Sequence, residues 1–173
     1  MTELMRFFWQ LVLLRRLPQD LPGSAFLLHA LLLLNVGLSF VLGMPQIENP
    51  LLLLGTSLFE LALSASLLYF GLLLRGTPQR WLQSYSALLG VGVFFALLIL
   101  IVRALETITA VTGLSEFASL LVFFWVIAAM AHVLRHSLEI PLAAAIVIVF
   151  LYTMLVVGLT SQWLPMQPTV GQS

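Results

Sequence analysis

Glu60 is the residue with the most chemistry to offer. It falls near the middle of a long apolar run, where an ionisable group costs a few kcal/mol and needs a physical reason to be there. Ser57, Ser64 and Gly71 sit at offsets that keep them on its helical face, which makes a small, polar stripe. Such a carboxyl can carry a proton or ligate a cation. The plainer alternative is a hydrogen-bonded or protonated carboxyl that glues helices together. Asn35 lies near mid-depth of the preceding run, with Ser39 and Gly43 following at four-residue steps, and is the nearest candidate partner. Asn35 and Glu60 are expected to face each other across the first two helices. His29 and His132 lie toward the same ends of their runs, and His132 shares a helical face with Trp125, Ala129 and His136. A metal or lipid-active centre would need His29, His132, His136 and Glu139 to converge, and no metal-binding motif fixes their spacing. Interfacial histidines are the ordinary alternative. Arg103 and Glu106, one helical turn apart, are expected to form an ion pair at the membrane boundary.

Other chemistries are missing. The chain has no cysteine, so it has no disulfide, thiolate nucleophile or Cys-based metal site. There is no Gly-x-Ser-x-Gly elbow, no His-Glu-x-x-His pair and no phosphate loop ending in Gly-Lys. Gly90 and Gly92, with Ser86 and Ala96, read as a packing face rather than a nucleotide loop. No catalytic residue, cofactor or metal is expected.

The elements that position these residues follow from composition. Of 173 residues 61% are hydrophobic and 8% are charged, with a formal net charge of zero. That is too little charge to coat a soluble globule and too much apolar surface for a disordered chain. Nucleic acid is not an expected partner, because no basic excess exists. The lipid bilayer is. Five stretches reach the roughly 20 apolar residues that cross a hydrocarbon core, at 24–43, 51–74, 85–102, 117–134 and 141–159. They are continuously apolar rather than alternating, which excludes a membrane barrel. The expected fold is all-α and polytopic: residues 1–23 an amphipathic interfacial segment, 24–160 a five-helix transmembrane domain, 161–173 a short tail. The connection 104–116, rich in Thr, Ser and Glu, is the longest expected link.

The segment 2–17 differs in kind. Glu3, Arg6 and Gln10 mark one helical side and Leu4, Phe7, Phe8, Leu11, Val12 and Leu14 the rest, with Pro18 as a stop. It is suited to lie on the membrane rather than cross it. With the N-terminus in the cytoplasm, Arg6, Arg15, Arg16, Arg75, Arg80 and Arg135 fall inside and only Arg103 outside. That bias orients the chain in a cell inner membrane, C-terminus periplasmic. Trp9 and Trp81 are expected at the cytoplasmic interface, Trp163 at the other, and Trp125 in the packing.

Three stretches carry a family resemblance: the amphipathic lead into Pro18-Gln19-Asp20-Leu21-Pro22; the link from Gly71 through Arg75-Gly76-Thr77-Pro78-Gln79-Arg80-Trp81 to Tyr85-Ser86; and Trp125 followed by the basic exit Arg135-His136. The layout resembles the YIP family, five-span membrane proteins first known for interacting with Rab-type GTPases. The resemblance is to a compact, bacterial-type member. It implies a five-span helical fold and no catalytic residue, and without the long cytosolic lead of eukaryotic members it does not imply Rab binding.

Three functions remain open on these residues. The first is a non-enzymatic scaffold, assembly factor or accessory subunit, self-associating or bound to another membrane protein. The second is a small transporter or channel with Glu60 and Asn35 lining the path. The third, least supported, is a lipid-active enzyme built on the histidines.

Overall fold

The computed structural model describes residues 2–44, 49–109 and 113–163. Six α-helices carry them: α1 Thr2–Val12, α2 Ala25–Gly43, α3 Pro50–Leu74, α4 Trp81–Thr109, α5 Leu114–Leu138 and α6 Leu142–Trp163. The last five are long and apolar enough to cross a membrane, and no strand occurs among the described residues. The protein is an all-α, multi-pass membrane protein.

Local chemistry sets most helix ends. Ser24 caps α2 by accepting from Leu27 N at 3.4 Å. Asn49 caps α3 by accepting from Leu51 N at 3.0 Å, and Pro50 fills the first helical position, where a missing N–H is harmless. At the far end of α3, Gly76 takes a left-handed φ of 72°, with Thr77 N donating to Leu72 O and Gly76 N to Leu73 O. That is a Schellman stop.

The amphipathic lead ends earlier than its pattern implies, at Val12 rather than residue 17. The same stop ends it: Arg15 N donates to Gln10 O and Leu14 N to Leu11 O, with Leu14 at φ 61°. The usual glycine is replaced by a leucine, which holds a strained conformation. Leu14→Gly is therefore expected to raise stability by about 1 kcal/mol, measured as a higher midpoint of thermal unfolding in detergent. A lower midpoint would show that the half-exposed leucine packs for more than its strain.

α1 is amphipathic as expected, and its apolar face is covered by protein. Leu11 and Val12 are fully buried and Phe7 and Phe8 nearly so. The Phe8 ring covers Gly90 of α4, Trp9 meets Phe94 at 5.6 Å, and Trp125 Nε1 of α5 donates to Val12 O at 3.0 Å. The chain then returns along α5. His132 Nε2 contacts Arg16 O at 3.1 Å, Gln19 Nε2 donates to His136 O at 3.2 Å, and Gly23 reaches Gln83 at the start of α4. From Trp125 to His136 is about 16 Å of helix. Segment 2–23 is thus a hairpin whose tip lies roughly half-way along the bundle. This corrects the placement of Trp9, which sits against Phe94, about 20 Å along α4 from Trp81. Trp81 does stand at a helix end, where it stacks on Tyr85 and its Nε1 donates to Ala65 O at 3.2 Å. The Trp163 side chain and most of the 161–173 tail lie outside the described residues.

The last three spanning helices overrun their apolar cores. α4 runs on through Arg103 and Glu106 to Thr109, and α5 begins at Leu114, so the expected long link 104–116 is mostly helix. Polar residues beyond the hydrocarbon layer do not end a helix; they only end the apolar signal.

The two ends of the bundle are chemically distinct. At one, Arg75 donates from Nε to Leu138 O at 2.7 Å and from Nη2 to Glu139 O at 2.8 Å, and Arg80 pairs with Glu139 at 2.7 Å. At the other, Arg103 and Glu106 do not pair with each other, contrary to expectation. Arg103 Nη1 donates to Leu42 O at 3.1 Å and Glu106 Oε1 accepts from Gly113 N at 3.1 Å. Each satisfies a backbone group left orphaned at a helix terminus, one at the end of α2 and one at the start of α5. A double-mutant cycle of Arg103→Ala and Glu106→Ala is expected to show additive losses, with coupling below about 0.5 kcal/mol. Coupling well above that in detergent unfolding would restore the ion pair.

Candidate functional site

The α3 stripe opens on a cavity of about 650 Å³ to which all five spanning helices contribute. Its polar groups are Asn35 and Ser39 of α2, Ser57, Glu60 and Ser64 of α3, Tyr85 of α4, and Tyr152 and Thr153 of α6. Its walls are otherwise apolar, and the exposed Leu67 of α3 and Leu151 and Leu155 of α6 flank its mouth. α3 packs on α2 and α6 on α5. Between α3 and α6 one long hydrogen bond bridges the gap, from Tyr152 Oη to Glu60 O at 3.4 Å. The mouth is therefore lateral, toward the surrounding lipid.

Glu60 lies deep in this fold, about 15 Å along α3 from one end and about 21 Å from the other. Its carboxylate has neither hydrogen bond nor ion pair among the described residues. Asn35 shares the cavity wall but does not pair with it. The Asn35 amide donates instead to Leu31 O at 2.8 Å and Leu89 O at 3.1 Å, tying α2 to α4. Its oxygen stands over Gly92, where an added Cβ would lie 3.0 Å away. The expected Asn35–Glu60 contact fails because α2 turns its small-residue face to α4 as well as to α3. Helical offsets fix which residues share a face; they do not fix which neighbour that face meets.

Apart from the Ser39 hydroxyl, which has no partner among the described residues, the donors of the cavity are engaged by backbone carbonyls. Tyr85 Oη donates to Leu61 O at 2.6 Å, and Ser64 Oγ to the same carbonyl at 3.0 Å. Ser57 Oγ donates to Leu53 O at 2.9 Å and Thr153 Oγ1 to Val149 O at 2.9 Å. What these groups turn toward the cavity is lone pairs. An occupant that supplies positive charge or N–H and O–H donors fits such a lining; an anion does not.

Tyr85 and Tyr152 were not singled out as site residues from the sequence. The signal for Tyr152 is that it is the one phenol in an apolar last span.

The histidines do not form a centre. His29 Nδ1 bonds Ala25 O at 2.6 Å, within its own helix. His132 and His136 meet ring to ring at 4.6 Å, and Glu139 is taken by Arg80. Among the described residues no three His, Cys, Asp or Glu side chains gather as metal ligands. The convergence that a lipid-active enzyme would have required is absent there.

Compared with models of protein families, with curated proteins and with solved structures, the chain matches none.

Proposed function

We propose that this multi-pass membrane protein is a non-enzymatic small transporter that takes up a proton or a small cation at Glu60. The observation that carries this is the unpartnered carboxylate at mid-depth of an acceptor-lined cavity. A carboxyl serving as helix glue needs a donor on a neighbouring helix, and Glu60 has none among the described residues. An ionised carboxylate at that depth is costly unless a proton or a bound cation neutralises it. Binding near mid-membrane at a junction of helices is the ordinary arrangement of small transporters. Asn35 contributes an acceptor oxygen to the same wall. The test is flux into proteoliposomes of the purified protein, assayed for protons, sodium and methylammonium against protein-free vesicles. Rates equal to the empty vesicles for all three would remove the reading.

A second reading, a scaffold or accessory subunit that self-associates or holds another membrane protein, is favoured by the lateral mouth between α3 and α6. It expects a stoichiometric partner in mild-detergent pull-downs, with cross-links from Leu67 and Leu151. In either case we assign the arginine-rich end to the cytoplasm of an inner membrane, with the C-terminus periplasmic. Membership of the YIP family remains our proposal, supported by the three quoted stretches.

A further inference from the structure

A second cleft, of about 630 Å³, lies between α1 and its return segment, lined by Glu3, Arg6, Phe7, Gln10, Arg16 and Leu21 among others. Arg16 is held in place from three directions. Its Nε donates to Gln10 Oε1 at 3.0 Å, its guanidinium lies 5.9 Å from the Phe7 ring centre, and its backbone oxygen is bound by His132. Its two terminal nitrogens have no partner among the described residues, and neither has the guanidinium of Arg6. Two planar forks with free N–H groups on one cleft match the tetrahedral oxygens of a phosphate, which guanidinium binds in bidentate fashion.

The position of the cleft says where that phosphate comes from. Arg16 packs beside His132, about 9 Å of helix from Leu138 at the arginine-rich end. Long arginine side chains at that depth reach the headgroup layer. The floor is apolar, with Phe7 and Leu21 buried, and Leu4 of the lining and the neighbouring Met5 are exposed. A headgroup could enter between the arginines while its acyl chains follow that apolar flank. Glu3 lines the same cleft and leaves it a net charge of one, so it moderates affinity for any anion.

We propose that this cleft binds the phosphate of an anionic phospholipid headgroup through Arg6 and Arg16. The proposal is independent of the cavity around Glu60. It is tested on the full-length protein by titrating short-chain phosphatidylglycerol or phosphatidylcholine and reading retained lipid by native mass spectrometry. Phosphatidylglycerol should bind more tightly than phosphatidylcholine. R6Q combined with R16Q should weaken phosphatidylglycerol about tenfold or more. The milder R6K with R16K should fall between, because a point charge replaces a fork. E3Q should strengthen binding, and R135Q, at the same end but outside the cleft, should leave it unchanged. Equal retention by wild type and the R6Q/R16Q protein, or an equal loss with R135Q, would overturn the site. Inorganic phosphate alone binding as tightly as the lipid would overturn the lipid as its ligand.

Discussion

Glu60→Gln is expected to lower cation or proton flux at least tenfold while the protein folds, inserts and purifies normally. The substitution keeps size and shape, removes the charge and replaces one accepting oxygen by an NH2 donor. A charge-assisted contact is worth about 1.5–3 kcal/mol, or about one to two decades of binding. Stability separates the two roles of this residue. A carboxyl that glued helices would leave a neighbour unsatisfied when changed, and the unfolding midpoint would fall. The observed Glu60 carboxylate has no protein partner to abandon among the described residues, so the Gln variant should unfold at or above the wild-type midpoint. Normal flux with a lowered midpoint would sink the transport role and restore the structural one. Tyr152→Phe is the companion measurement, since it removes the bridge to Glu60 O while sparing the carboxylate.

Gly90→Ala carries the second large effect. A methyl there collides with the Phe8 ring, which lies directly on the glycine. Overpacking of this kind costs about 1–3 kcal/mol, and here the cost falls on one element. α1 is held by packing and by the Trp125–Val12 bond. In lipid its apolar face gains little from burial alone, because acyl chains would cover it as well. Close fit is what keeps it seated. Loss of fit should release α1, seen as a shift of tryptophan fluorescence, with Trp9 and Trp125 leaving their partners, and as protease cleavage between residues 13 and 23. Combining Gly90→Ala with Phe8→Ala should cost less than the sum of the two, because the collision is removed. Gly55→Ala, with nothing within 4 Å of the added carbon, serves as the control. Strict additivity of the Gly90 and Phe8 changes would show that Phe8 is not what the methyl meets.

What could be read from the sequence divides along physical lines. Spanning helices were legible because the bilayer demands a simple quantity, about 20 apolar residues in a row. The ends of the first two were legible to within one residue; those of the last three were not, because their helices run on past the apolar stretch, and the signals that close a helix are sometimes disguised. Gly76 announces the stop of α3, whereas Leu14 and Glu139 adopt the same left-handed turn without the residue that advertises it. The shared face of Ser57, Glu60, Ser64 and Gly71 was legible from helical period alone, and all four line one cavity. Partnerships were not. Asn35 with Glu60 and Arg103 with Glu106 were sound on spacing, yet in each case the amide, guanidinium or carboxylate went to a backbone group instead. Backbone groups compete strongly for such side chains, at helix termini for Arg103 and Glu106 and at the interior carbonyls of Leu31 and Leu89 for Asn35, and the sequence does not show which of them lie within reach. Burial of α1 was illegible for a related reason: an amphipathic pattern says which side is oily, not whether oil or protein will cover it.

The seat of α1 has a bearing on biogenesis. Its landing surface is made by Gly90 and Phe94 of α4 and by Trp125 of α5, so it does not exist until those helices have been made. α1, made before them, must wait unseated until the fourth span has been released from the translocon. Assembly of the bundle is then a locking event in which earlier-made residues close over later ones.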